Sequence, residues 1–122
     1  MQTDQSTTIG ELKEVAKQFC EARDWDQYHD ARELAISMVI EASELLELFR
    51  FRSEEEVERM FESPEARGKV CDELADVMFA LARFAQLYDI DVATAYFQKM
   101  AKNELKYPLD KSRGSNKKYD EL

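Results

Sequence analysis

The segment 34–49, LAISMVIEASELLELF, combines an apolar helix with carboxylates that a buried helix ordinarily avoids. Leu34, Ile36, Met38, Val39, Ile40, Ala42, Leu45, Leu46, Leu48 and Phe49 spread over more of a helical circumference than a surface helix needs. That spread predicts a largely buried helix. Glu41, Glu44 and Glu47 nevertheless lie inside it at successive intervals of three. Residues at that interval sit about 60° apart, so Glu41 and Glu44 share a face one turn apart. The segment 70–82, VCDELADVMFALA, repeats the arrangement with Glu73 and Asp76. Like charges among apolar neighbours are costly unless something positive compensates them. A single glutamate on a helix is ordinarily a solvated face, but two acidic pairs on two apolar helices are what a hard cation held between helices requires.

Four carboxylates with no cysteine or histidine among them suit Mg²⁺, with Mn²⁺ as a substitute, better than zinc. A di-iron bundle also sets carboxylates inside helices, but its mark is Glu-x-x-His on two of them. No glutamate here is followed by histidine three residues later. Magnesium held by acidic residues serves phosphate chemistry by neutralising phosphate oxygens and lowering the pKa of a water. Glu41, Glu44 and Glu47 are the candidate catalytic carboxylates, with Glu47, or Glu44 itself, taking the proton. No glycine-rich loop ending in Lys-Ser/Thr is present to cradle phosphates. Lys99 and Lys102 would meet the outer phosphates instead, while Trp25, Tyr28 and Phe51 offer flat faces for a base.

Helix signals punctuate the whole chain. Thr8 with Glu11, Asp30 with Glu33 and Ser53 with Glu56 read as capping boxes. They predict helices from 9 to about 23, from 31 to about 51, and a short one through Met60 or Phe61. Ser63-Pro64 launches a long helix ending near Tyr88, and Asp91 caps a last one that Pro108 stops. The expected fold is an all-α bundle of four main helices plus a short one, assembled as a homo-oligomer because its apolar surface exceeds what one bundle hides. Residues 1–7 read as a disordered N-terminus, 8–109 as the helical domain, and 110–122 as a tail that is either free or docked on a neighbouring subunit. Three glycines and two prolines in 122 residues fit this picture.

The formal charge of −9 excludes a nucleic-acid backbone as partner, since no basic stripe could release counterions. It leaves room for a nucleotide whose charge a divalent metal neutralises. Cys20 and Cys71 fall in helical, mostly apolar surroundings and read as buried free thiols of a cytoplasmic protein. No apolar run approaches a membrane span, so no membrane partner is expected.

The pattern resembles the MazG-like all-α nucleoside triphosphate pyrophosphohydrolases, and among them the small dCTP pyrophosphatases. The family motif of Glu-x-x-Glu followed after a gap by Glu-x-x-Asp is met by Glu41, Glu44, Glu73 and Asp76. The resemblance extends through RDWDQYH at 23–29, ELFRF at 47–51, KMAKNELKYP at 99–108 and SRGSNKKY at 112–119. It implies that those four acids hold Mg²⁺ and that a nucleoside triphosphate is cleaved to monophosphate and pyrophosphate by water attack at the α-phosphorus. It further implies a homotetramer built as a dimer of dimers, with Trp25 stacked on the base and Lys99 and Asn103 on the phosphates. Tyr28, His29, Phe51 and Tyr107 complete the expected substrate-binding set. The animal dCTP enzymes carry a second Trp where this chain has Phe51, a Tyr at Ala80 and a His at Ala16. These changes shrink or depolarise the base pocket, so a broad preference among pyrimidine deoxynucleotides, including dCTP, is expected. Two other readings stand beside this one: a noncatalytic helical oligomer acting as a binding or scaffold module, and a nucleotide phosphatase releasing orthophosphate.

Overall fold

Each of the five longer helices starts where a side chain is available to hold a free N–H group of its first turn. In the computed structural model, which describes residues 1–122, Thr8 accepts from the Glu11 N–H and opens α1, Ile9–Ala22. Asp30 accepts from Glu33 at the head of α2, Ala31–Glu47. Ser53 and Glu56 close a reciprocal box ahead of α3, Glu54–Met60. Ser63 accepts from Ala66, and Pro64 fills the first position of α4, Pro64–Leu87. Asp91 accepts from Thr94 and opens α5, Val92–Lys106. A short α6, Leu109–Ser112, and single 3₁₀ turns at Asp26–Tyr28 and Tyr119–Glu121 complete the chain.

The architecture is all-α, but it has six helices where the sequence predicts four plus a short one. The additional helix is α6. Pro108 ends α5 because it has no N–H to give, yet its φ of −62° also seeds the next turn. A second correction concerns α2, which stops at Glu47 rather than near Phe51. Phe51 takes a φ of 62°, a left-handed value that breaks the helical path.

The chain forms two compact units, Met1–Asp89 and Ile90–Leu122. In the first, α4 packs against both α1 and α2. Its interior is lined by small residues, Ala16 and Cys20 from α1 and Val70, Ala80, Ala82 and Ala85 from α4, joined by Leu34 from α2. Small side chains let helix axes approach closely. Phe49 and Phe61 stack at 6.3 Å and tie the end of α2 to the end of α3. The N-terminal seven residues hold a local turn in which the Ser6 N–H donates to the Thr3 carbonyl.

Two burial expectations are corrected here. The carboxylate helix is not largely buried within one chain: Leu34 alone is fully buried, while Val39 and Leu46 are 70% and 65% exposed. One chain offers α2 only α4 as a major neighbour, so most of its apolar circumference is left uncovered. Cys71 is exposed, unlike Cys20. It follows Val70 by one residue, and the ~100° helical step carries it off the buried stripe.

In the second unit α5 has no buried residue. Tyr119 returns to the end of α5, where its ring meets Tyr107 edge-on at 6.2 Å and lies 4.7 Å beneath the Lys106 ammonium. No helix is long and apolar enough to cross a membrane.

Candidate metal centre

Packing α2 against α4 brings the two acidic pairs together. Glu41, Glu44, Glu73 and Asp76 each present a carboxylate oxygen, and the four oxygens lie within 4.8 Å of one another. Glu41 and Glu73 are half-buried, whereas Glu44 and Asp76 are exposed. The cluster is therefore more open to solvent at Glu44 and Asp76 than at Glu41 and Glu73.

The electrostatics follow from this convergence. Burial raises the Glu41 carboxyl above its ordinary value, and a hydrogen bond and the charge of Glu44, then Asp76 and Glu73, push the same way. Glu73 is raised by burial first, then by Glu44, Asp76 and Asp72. No cation of the chain relieves either carboxylate. One oxygen of each, Oε2 of Glu41 and Oε2 of Glu73, is buried with no hydrogen-bond partner.

Buried polar atoms are almost always satisfied in folded proteins. Two buried, unpartnered oxygens on neighbouring helices, both drawn toward the protonated form by burial and then by the crowding of like charges, suit a positive charge placed between them. A divalent cation supplies partner and charge at once. The donor set is all oxygen and free of histidine, so the residues fit such an ion.

Glu47 is not one of the four. It lies one turn past Glu44 with its carboxylate 3.3 Å from Arg50 Nη1. Phe51 stands 91% exposed on the turn that follows, with the Arg50 guanidinium 4.5 Å from its ring centre.

The aromatic link is placed by the end of α1. Asp24, at a φ of 54°, takes the left-handed position that usually belongs to glycine. The Trp25 N–H then donates to Cys20 O and the Asp24 N–H to Glu21 O, the paired bonds of a Schellman closure. The accompanying apolar contact is Trp25 with Phe19, edge-to-face at 5.5 Å. Trp25 keeps 38% of its surface exposed and Tyr28 keeps 66%. His29 is half-buried. Burial, and then the nearby Arg83 charge, hold its imidazole below the ordinary histidine value, with Asp26 opposing.

Arg83 was not among the residues singled out from the sequence, although it is the one buried charged side chain, 1% exposed. Its Nε donates to His29 Nδ1 at 3.0 Å, its Nη1 to Gln86 Oε1 at 2.6 Å, and its Nη2 pairs with Asp26 Oδ1. The signal was available: an arginine on the stripe Ala80, Phe84, Leu87 must find acceptors in the interior. Ala80 and Ala16, expected from the sequence to shrink or depolarise the wall of a base pocket, are both buried on the two helices that pack together.

Lys99, Asn103 and Tyr107 belong to the second unit and line up along α5. Lys106, then burial, hold the Lys99 ammonium below its usual value, with Lys102 adding to the effect. Asn103 Nδ2 donates to Met100 Sδ at 3.7 Å. Tyr107 caps the helix, its N–H donating to Asn103 O.

Comparison with known proteins agrees with this geometry. Residues 36–122 match the MazG-like family. The chain is 35% identical to dCTP pyrophosphatase 1 of Rattus norvegicus over 115 residues, which are 94% of this chain and 68% of that protein. The Homo sapiens dCTP pyrophosphatase 1 is 34% identical over the same shares. A pyrophosphatase from Archaeoglobus fulgidus DSM 4304, known from a crystal structure, superposes with a TM-score of 0.75 at 38% identity. It covers 82% of this chain and 92% of its own. On these grounds, and on the four converging carboxylates, the chain belongs to the MazG-like family.

Proposed function

We propose that this protein hydrolyses nucleoside triphosphates, dCTP and other pyrimidine deoxynucleotides foremost, to the monophosphate and pyrophosphate with Mg²⁺ as cofactor. The observation that carries the reading is the group of four carboxylate oxygens within 4.8 Å, two of whose residues bury an unpartnered oxygen. The dCTP pyrophosphatases it is similar to supply the substrate class.

Glu41, Glu44, Glu73 and Asp76 hold the metal, and Mn²⁺ substitutes. When bound, a divalent cation supplies positive charge against the phosphate oxygens and acidifies a water. Water oxygen forms a bond to the α-phosphorus, the bond from that phosphorus to the α,β-bridging oxygen breaks, and pyrophosphate leaves with that oxygen. Glu47 takes the proton of the attacking water. It lies on α2 one turn past Glu44 and outside the four-ligand set, and carboxylates spent on a cation are poor bases. Trp25, Tyr28, His29 and Phe51 form the base wall, and Lys99, Asn103 and Tyr107 meet the phosphates. The working form is a homotetramer, a dimer of dimers in a cytoplasmic setting, and the residue 110–122 tail docks on a neighbour. The exposed Val39 and Leu46 of α2 support that assembly, as do Phe97 and Leu105 of α5.

The test is product identity. Incubation with dCTP and Mg²⁺ is expected to yield dCMP and pyrophosphate in equal amounts, and Glu44→Gln or Glu73→Gln to abolish turnover with the helical circular dichroism unchanged. Release of orthophosphate, or near-normal turnover of either variant at saturating Mg²⁺, overturns the assignment.

A further inference from the structure

We infer that Arg83 is a positioning residue for the Trp25 wall: from inside α4 it grips both ends of the segment that follows Trp25 and so fixes where the indole stands. The inference rests on the reading of Trp25 as base wall and extends it to a residue that touches no substrate.

Trp25 hangs on its own backbone from two directions. Its N–H donates to Cys20 O, and its carbonyl accepts from the Tyr28 N–H at 2.9 Å. The first bond anchors it to α1, and the second closes the 3₁₀ turn Asp26–Tyr28. That turn is a single one, with no buried residue of its own, and single turns have little stability alone. It needs an outside anchor. Arg83 provides one at each end, the Asp26 carboxylate at the start and His29 Nδ1 just past the finish.

A guanidinium is suited to this because its planar fork presents several donors in fixed directions. Three of them are used here, toward Asp26, His29 and Gln86. The Gln86 bond, one turn along the same helix, orients the fork without reaching the link. His29 is also a ring neighbour of Trp25, with centroids 6.3 Å apart. Fixing the imidazole therefore fixes one flank of the indole, while Phe19 fixes another.

Stability alone does not account for the arginine. Buried ion pairs are often replaceable by apolar residues of similar volume without loss of stability, because desolvation offsets the attraction. Asp26 in particular is 53% exposed and would be well solvated without its partner. What an apolar residue in place of Arg83 cannot do is hold two points of the link in register. A mobile link lets Trp25 swing away from Phe19 and His29 toward solvent, and base affinity falls while the carboxylates are untouched.

The chain contains a single tryptophan, so its emission reports on Trp25 alone. Arg83→Met keeps an unbranched stem and removes all three donations. The expected result is a red-shifted emission with acrylamide quenching roughly doubled in the free protein, and a KM for dCTP raised about tenfold with kcat changed less than about twofold. Combined with Trp25→Ala, the Arg83→Met change is expected to add almost nothing further to KM, since both act on one wall. Unchanged emission and quenching in folded Arg83→Met protein overturns the inference, as does an equal added KM cost in the Trp25→Ala background. If Arg83→Met fails to fold by circular dichroism, Asp26→Asn decides on the same readouts, with smaller shifts in the same direction supporting the inference and parental values overturning it. Should Trp25→Ala itself leave KM unchanged, the base-wall reading fails, and the clamp stands or falls on the quenching measurement alone.

Discussion

Glu41→Gln should make the metal-free protein more stable and, at the same time, deprive it of stabilisation by Mg²⁺. The four oxygens converge from α2 and α4 only in the folded chain, so the ion binds the native state and not the unfolded one. Its contribution is then the full linkage term, about 2.7 kcal/mol at a free concentration one hundred times Kd. For a chain of 122 residues, 1 kcal/mol moves Tm by about 3–5 °C, so saturating Mg²⁺ should raise the melting temperature by roughly 10 °C. Removing the Glu41 charge relieves its crowding by Glu44, Asp76 and Glu73, which raises the metal-free Tm. It also removes a ligand, which should cut the Mg²⁺ shift below about 3 °C. The pH dependence has a definite sign. Glu41 has a raised native value, so its ionised form destabilises the fold at neutral pH. That penalty is lost as pH falls through the raised native value to below the ordinary carboxylate range. The gap between variant and parent should therefore be widest near pH 7 and close toward pH 4. Thermal melts at fixed protomer concentration, with EDTA or Mg²⁺ across that range, measure it. A full Mg²⁺ shift in the variant, or a metal-free variant that melts lower than the parent at pH 7, refutes the reasoning.

Glu47→Gln is expected to lower kcat by about 10²–10⁴, the range of general-base catalysis, while the Mg²⁺-dependent rise in Tm stays at the parental size; loss of that rise would make Glu47 a ligand instead. With Phe51 rather than a second tryptophan on the proposed base wall, several deoxynucleoside triphosphates should be hydrolysed with pyrimidines favoured, as kcat/KM across dCTP, dTTP, dUTP, dATP and dGTP would record. A preference above ~1000-fold for one base would require roughly 4 kcal/mol of readout that this wall does not contain. Asp24→Gly should stabilise the protein by about 0.5–1 kcal/mol, because glycine takes a φ of 54° without a Cβ clash. A fall in Tm would mean that the exposed Gln27-to-Asp24 hydrogen bond outweighs backbone strain.

The local features of this protein were legible in its sequence. Thr8, Asp30, Ser53, Ser63 and Asp91 each begin a helix because a cap acts over three residues. The pairs Glu41 with Glu44 and Glu73 with Asp76 face one way because an interval of three on a helix leaves no other choice. Two such pairs on two apolar helices point to one cation site independently of any resemblance, and the packing of α2 on α4 brings the four carboxylate oxygens within 4.8 Å of one another. Where a reading depended on which surfaces meet, only the tertiary structure decided. Apolar periodicity marks the side of α2 that seeks cover, but not whether cover comes from the same chain, so a helix read as buried carries Val39 and Leu46 in the open. Cys71 differs from Cys20 by its angle on the helix relative to the neighbour, and Phe51 leaves α2 through a positive φ that no residue type there announces. Arg83 shows the limit most directly. Its acceptors, Asp26 and His29, lie more than fifty positions away, and a buried charge is defined by the partners the fold brings to it rather than by its neighbours in the chain.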